Sequence, residues 1–187
     1  MTRIIAGTAG GRRLAVPPAG TRPTSDRVRE ALFSALEHDP GLDGAAVLDL
    51  CAGSGALGLE ALSRGAEHAL LVESDRRAAG VLRRKVTELG LPGAEVRACP
   101  AGTVLAAPAP RPYDLVLVDP PYDLPEADLA GVLTAIGPAL APHGVVVVER
   151  ASRTPEPTWP TGLVRFDRRA YGDTVMWFAE PDLGAAR

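Results

Sequence analysis

Val47-Leu-Asp-Leu-Cys-Ala-Gly-Ser-Gly-Ala-Leu-Gly58 decides how the rest of the chain is read. An apolar run ending at Leu50 reads as a buried strand. Gly53, Gly55 and Gly58 then lead into a helical pattern over Leu57 to Ser63. The spacing predicts a strand-to-helix turn. Its glycines reach backbone angles closed to other residues and bring N–H groups close to a ligand, while the helix N-terminus adds partial positive charge. A nucleoside-bearing cofactor could dock there, although a tight turn without a ligand has the same spacing.

Gly53-x-Gly55-x-x-Gly58, with Glu73 closing the next apolar run, also suits a dinucleotide. Asp49 weighs against that. A carboxylate near the end of a buried strand is costly without a positive or hydrogen-bonding partner. S-adenosylmethionine brings an ammonium and a sulfonium, whereas a dinucleotide brings a pyrophosphate that Asp49 would repel. The chemistry favours S-adenosylmethionine.

Working outward, strand and helix patterns alternate. Ala69 to Glu73 reads as a strand, Asp75 to Leu89 as a helix stopped by Gly90, Glu95 to Ala98 as a weak strand, and Ala101 to Ala107 as a short helix. Tyr113 to Asp119 is a strong strand, Glu126 to Ile136 a helix, and Val145 to Glu149 a further strand. This alternation calls for a mostly parallel sheet covered on both faces. After a Pro-rich loop from Arg150 to Thr161, two strand patterns, Leu163 to Tyr171 and Thr174 to Glu180, are separated only by Gly172-Asp173. So short a link permits only an antiparallel hairpin. Residues 181 to 187 read as a loose tail.

Toward the N-terminus, Arg3-Ile-Ile-Ala and Arg12 to Val16 flank a Gly-rich centre and predict a small β-hairpin. Pro17, Pro18 and Gly20 break the pattern. Thr24 is the expected N-cap of a helix that buries Val28, Ala31, Leu32, Ala35 and Leu36, leaves Arg27 and Glu30 on other faces, and closes at Pro40 and Gly41.

The 187 residues are enough for one well-buried domain and short for two. The net charge of −3 conceals an asymmetry, because Arg3, Arg12, Arg13, Arg22, Arg27 and Arg29 face only Asp26 and Glu30 in the first thirty residues. A basic arm, residues 1–22, is expected ahead of a catalytic body, residues 23–187. Such an arm can bind polyanions by releasing counterions, or can simply be solvated. Lys85 is the only lysine. Cys51 and Cys99, without paired spacing or clustered histidines, suggest neither a disulfide framework nor a metal site, and fit a reducing cytoplasm. No run approaches the roughly 20 apolar residues that span a bilayer. A soluble, unexported protein is expected.

Asp119-Pro120-Pro121-Tyr122 falls at the carboxyl end of a strand, the edge of an open α/β sheet where ligands collect, and the same edge as Gly53 to Gly58. Two prolines fix the backbone and remove two donors. The Asp119 carboxylate and the Pro120 carbonyl remain as acceptors, with the Tyr122 ring beside them. A nucleobase amine offers two N–H donors and a π-face, which this group can hold by two hydrogen bonds and a stack. Acceptors aligned with those N–H bonds favour a pyramidal nitrogen whose lone pair can attack a methyl carbon in line. An ordinary strand-ending turn is the plainer alternative.

Taken with Arg22-Pro-Thr-Ser-Asp-Arg-Val-Arg-Glu30 and Tyr171-Gly-Asp-Thr174, these motifs resemble, in order and over nearly the whole chain, the RsmD family of 16S ribosomal RNA (guanine-N2)-methyltransferases. The resemblance implies a Rossmann-like class I fold with a seven-stranded, mostly parallel sheet, a C-terminal antiparallel hairpin and an N-terminal β-hairpin extension. It implies S-adenosylmethionine as cofactor, without metal or membrane. The substrate would be a guanine of 16S ribosomal RNA within an assembled or assembling small subunit. Asp49, Ala52, Gly53, Ser54 and Gly55 would line the methionine side, Glu73 with Ser74 the ribose, and Pro100 the adenine. Asp119, Pro120 and Tyr122 would hold the guanine, and Arg12, Arg13, Arg22 and Arg27 the RNA. Two positions depart from the pattern. Cys51 stands where relatives often have Phe, and Pro100 stands where many such enzymes have an Asp for the adenine amino group. That contact would then come from a backbone carbonyl, from water, or from nothing. A DNA adenine-N6 or protein glutamine-N5 methyltransferase is the nearest alternative activity; a nucleotide-cofactor oxidoreductase and a non-catalytic RNA-binding module are more distant ones.

Overall fold

The structure, a computed structural model, describes residues 2–14, 24–37 and 41–184. Arg22, Val16, Pro17, Pro18, Gly20, Pro40, the boundary between residues 22 and 23, and the last three residues lie outside them. The elements in chain order are β1 (Thr2–Arg3), β2 (Arg13–Leu14), α1 (Asp26–Leu36), β3 (Ala46–Leu50), α2 (Ala56–Ser63), β4 (His68–Glu73), α3 (Arg76–Leu89), β5 (Ala94–Ala98), α4 (Ala101–Leu105), β6 (Tyr113–Val118), α5 (Glu126–Ile136), β7 (Leu140–Ala151), β8 (Leu163–Tyr171) and β9 (Thr174–Pro181). Seven strands form one sheet in the order β5-β4-β3-β6-β7-β9-β8. The first five pair in parallel, and β9 is antiparallel to both its neighbours.

The period-two alternation of the strands sorts the core into two layers. Val47, Leu71, Leu115, Leu117, Val147 and Phe178 pack toward α1, α2 and α3. Leu48, Leu50, Leu70, Val116, Val146 and Trp177 pack toward α4 and α5. Each such side chain contributes about 1.5–3 kcal/mol when fully buried. Asp49 falls in the alternation with Val47, on the α2 side, and is buried like the rest of β3. The chain leaves β3 toward β4 and β5 on one side and returns through β6 and β7 on the other. The carboxyl ends of β3 and β6 therefore flank the crevice where such sheets bind ligands.

Four local expectations are corrected. The N-cap of α1 is Ser25, whose hydroxyl accepts from Val28 N at 3.3 Å, and not Thr24. The helix buries Arg29 and Phe33 beside Val28 and Leu32, while Ala31, Ala35 and Leu36 are only partly covered. Strand β7 begins at Leu140, which pairs with Tyr113; the Pro142-His143-Gly144 interruption is absorbed by an irregularity before Leu115. Finally, β1 and β2 are only two residues each. The amides that would lengthen the hairpin are taken by α2: Glu60 accepts from Ile5 N at 2.7 Å and Ala6 N at 3.0 Å, and Ser63 Oγ from Ala9 N at 2.9 Å. Ile4, Ala9 and Leu14, all buried, anchor residues 2–14 to the core. Among the described residues, no helix is long and apolar enough to cross a membrane.

Candidate functional site

At the carboxyl ends of β3, β4 and β6 lies a cavity of about 460 Å³. It is lined by Asp49, Cys51, Ala52, Gly53, Ser54, Glu73, Ser74, Asp119, Pro120 and Tyr122, together with Thr24, Ala101 and Cys99. The two motifs therefore meet in one place. Asp49, Glu73, Asp119 and Asp123 bring four carboxylates to the lining, and among the described residues no lysine or arginine lines it. A cavity with this charge suits a cationic ligand and opposes a pyrophosphate.

The three glycines of the turn have separate tasks. A Cβ on Gly58 would come within 2.2 Å of Leu71 Cδ2 and 3.1 Å of Asp49 Oδ2, so this glycine lets α2 press against the sheet. Gly55, at φ 76°, would place a Cβ 2.3 Å from Leu82 Cδ1. It packs against α3 and does not line the cavity. Gly53 lines it. Their amides are not bare: Gly53 N donates to Glu73 Oε2 at 2.8 Å, Gly55 N to the Ala52 carbonyl at 2.6 Å, and Gly58 N to Asp49 Oδ2 at 2.9 Å. The expectation that these N–H groups face a ligand is thus corrected, because the turn spends them on its own carboxylates and carbonyl. A phosphate cradle needs those donors.

Asp49 is enclosed. Gly58 N satisfies Oδ2, while Oδ1 is buried with no hydrogen-bond partner. Burial is the main cause that pushes its carboxyl up to about 7; the Gly58 amide opposes the rise and the charge of Glu73 adds to it. An ammonium against Oδ1 would supply the missing partner, so the residues fit the amino-acid end of S-adenosylmethionine. The sign of the pH dependence follows. In the unfolded chain the group ionises near the ordinary aspartate value, so its contribution to stability is full below that pH and is lost as the pH rises through about 7. Above that pH, Asp49→Asn is expected to raise the melting temperature of the ligand-free protein. The affinity of the wild type for S-adenosylmethionine should rise with pH through the same range, and in Asp49→Asn it should be weak and flat. Calorimetric titrations on either side of about pH 7 check both.

Glu73 closes β4 with Oε1 accepting from Asp75 N at 2.7 Å and Oε2 from Gly53 N at 2.8 Å. Both oxygens are fixed in direction and keep a lone pair for a further hydroxyl donor. Charge-assisted bonds of this kind contribute about 1.5–3 kcal/mol. Glu73→Ala is expected to weaken S-adenosylmethionine binding roughly ten- to a hundredfold, which calorimetry would read directly.

Where Pro100 was expected, Cys99 and Ala101 line the cavity instead. Pro100 is exposed, because it takes the extended N-cap conformation that starts α4. Cys51 has a left-handed backbone, φ 62°, rare for a residue with a side chain. Burial first, and then the charges of Asp49, Asp119 and Glu73, push its thiol up to about 12. It stays protonated and is no nucleophile.

The second motif has partners that the sequence reading missed. Thr24 Oγ1 donates to Glu149 Oε2 at 2.6 Å and lies 3.5 Å from Asp119 Oδ2. Burial, then Glu149, then Asp49 hold the Asp119 carboxyl well above the usual range, and Thr24 opposes them. Glu149 is raised as well, mainly by burial. The signal was available: Glu149 ends the Val145 to Val148 run just as Asp49 interrupts an apolar strand. Pro121 O accepts from Leu124 N at 3.0 Å and closes the Asp119 to Tyr122 turn, which leaves Tyr122 exposed at the mouth.

The arginines divide. Arg29 is fully buried against Glu60 and Asp26. Arg12 donates to the carbonyls of Leu89 and Glu88 at the C-terminus of α3. That end lies about 20 Å along the helix from Glu73. Arg13 and Arg27 are exposed. Among the described residues no cluster of His, Cys, Asp and Glu could hold a metal ion.

Residues 2–180 match the protein family described as conserved hypothetical protein 95. The chain is 38% identical over 178 residues to YlbH of Bacillus subtilis, named as a candidate rRNA methyltransferase, across 92% of this chain and 95% of that one. It is 47% identical over 121 residues to ribosomal RNA small subunit methyltransferase D of Escherichia coli, across 64% of this chain and 60% of the relative. A solved Escherichia coli structure, yhhF, named as a candidate methyltransferase, superposes with a TM-score of 0.85 at 35% identity, over 96% of this chain and 97% of that one. The fold is the Rossmann-like class I methyltransferase fold.

Proposed function

Since this chain belongs to the conserved hypothetical protein 95 family, the RsmD family its motifs resemble, we propose that it transfers a methyl group from S-adenosylmethionine to the exocyclic N2 of a guanine in small-subunit ribosomal RNA. The observation that carries the reading is the meeting of Asp49, Glu73 and the Asp119 to Tyr122 turn in one acidic cavity. Two relatives are themselves named for rRNA methylation. When bound, the cofactor supplies an electrophilic methyl group on sulfonium sulfur.

The chain's own residues do the rest. Asp49 holds the ammonium, Glu73 the ribose hydroxyls, and Ala52, Gly53, Ser54 and Ser74 shape the wall between them. Asp119 and the Pro120 carbonyl accept from the guanine amine and orient its lone pair, while Tyr122 covers the base at the mouth. Positioning of this kind accounts for a large part of a barrier reduction. Asp119 takes a proton once the amine has gained its methyl group and become acidic.

The test is to incubate the protein and labelled S-adenosylmethionine with small subunits, and with their naked RNA, from cells lacking the protein, then digest to nucleosides. Label in N2-methylguanosine at one position is expected, with assembled particles the better substrate. Label in adenosine or in protein would overturn the reading. For RNA binding, Arg13 and Arg27 are the better placed of the exposed arginines, since Arg12 is engaged with the Leu89 and Glu88 carbonyls. Replacing both by Ala is expected to flatten the salt dependence of RNA binding by up to about two units of log–log slope, with S-adenosylmethionine affinity unchanged. Arg12→Ala should act mainly on stability, through the C-terminus of α3.

A further inference from the structure

The register of the sheet places a second carboxylate beside the proposed acceptor. Val118 of β6 pairs with Val148 of β7, so Asp119, just past the end of β6, and Glu149, within β7, stand side by side on neighbouring parallel strands, roughly one strand spacing of 4.8 Å apart. Alternation sends both to the α1 face, one step beyond Asp49, which is in register with Leu117. Glu149 is buried and does not line the cavity; Thr24, which does, lies at 2.6 Å from Glu149 and 3.5 Å from Asp119. The groups that act on Asp119 are Glu149, Asp49 and the Thr24 hydroxyl, with Cys51 and Glu73 beyond them. Among the described residues, all the titratable ones are acidic. Two adjacent buried carboxylates without a cation between them do not both ionise freely.

We propose that Glu149, held by the Thr24 hydroxyl, is a positioning residue that shares one proton with Asp119, so that the pair meets the amine singly charged and takes up the proton the methylated amine releases. This rests on the reading of Asp119 as the amine's acceptor. Forming the N–C bond leaves nitrogen positively charged. An N–H bond then breaks, its electron pair returns to nitrogen, and its proton passes to Asp119. The pair, now holding two protons and no charge, returns one to solvent after the product leaves. Glu149 thereby keeps Asp119 basic enough to accept that proton. Thr24, next to the Ser25 cap of α1, fixes which Glu149 oxygen faces Asp119.

The experiment follows the single-turnover rate against pH for wild type, Glu149→Gln, Thr24→Val and Thr24→Ser on small-subunit RNA particles. S-adenosylmethionine affinity and thermal melting are measured alongside. Glu149→Gln keeps the shape and an acceptor for Thr24 but carries no charge. Its acid limb is expected to move to lower pH, because Asp119 ionises more easily without a charged neighbour, and its plateau rate to fall about tenfold or more. Thr24→Val, which removes only the hydroxyl, should lower the rate in the same direction, and Thr24→Ser should restore it. A Glu149→Gln profile superimposed on that of the wild type, in folded protein that binds the cofactor, overturns the proposal. So does a Thr24→Val rate equal to that of Thr24→Ser. If Asp119→Ala is inactive while Glu149→Gln behaves as wild type, only the pairing fails; if Asp119→Ala is itself as fast as wild type, the underlying reading of the site fails.

Discussion

Asp119→Ala is expected to lower the single-turnover rate of methyl transfer by at least about a hundredfold, the loss typical when one positioned electrostatic group is removed from a reacting centre. The affinity for S-adenosylmethionine should stay close to that of the wild type, since the proposed reading gives the cofactor to Asp49 and Glu73, at the ends of β3 and β4. Asp119→Asn separates the two tasks of the carboxylate. It keeps an acceptor oxygen for the amine but cannot take a proton, so its rate should lie between wild type and Ala. Rapid-quench measurement of labelled methyl in RNA reads all three. Near-wild-type rates for both variants would remove Asp119 from the reaction.

The second large effect lies outside the cavity. Glu60 is fully buried on α2 and accepts from Ile5 N, Ala6 N and Arg64 Nε, with Arg29 Nη1 at 3.6 Å. Glu60→Ala leaves the buried Arg29 guanidinium with the partly exposed Asp26 but without its fully buried carboxylate, and strips two amides of their acceptor. Breaking a buried ion pair from one side costs about 3–5 kcal/mol. A domain of this size has about 5–15 kcal/mol in total. The melting temperature should fall by on the order of 10 °C. Glu60→Gln keeps an acceptor for the amides and should lose less. Replacing Arg29 and Glu60 together by Met and Leu should recover much of the loss. Calorimetric melting of the four proteins tests this; a Glu60→Ala protein as stable as wild type would show that the hairpin is anchored elsewhere.

The order of strands and helices was legible because buried strands and amphipathic helices have different hydrophobic periods, and because glycine and proline punctuate them. α5 at Glu126–Ile136 and the β8–β9 hairpin around Gly172-Asp173 came out as read. Asp49 and Asp119 were visible because a carboxylate in an apolar strand is an exception that local chemistry alone marks. Which residues meet across sequence distance was another matter. Arg29 was read as one charge of a basic arm, and became a core residue because Glu60, thirty-one positions on, is carried to it by α2. Thr24 fitted the pattern of an N-cap; Ser25 took that role, and packing set Thr24 against Glu149, 125 residues away. Pro100 was assigned to the cavity by position in a motif, but the start of α4 turns it outward and leaves Cys99 and Ala101 facing in. Sequence by itself determined the elements, the parallel sheet and the two acidic motifs, because each depends on residues close along the chain. The tertiary structure alone decided the placing of Asp119 beside Glu149, the use of the glycine amides and the surroundings of Arg12 and Arg29, because burial and hydrogen-bond satisfaction depend on what the fold brings alongside.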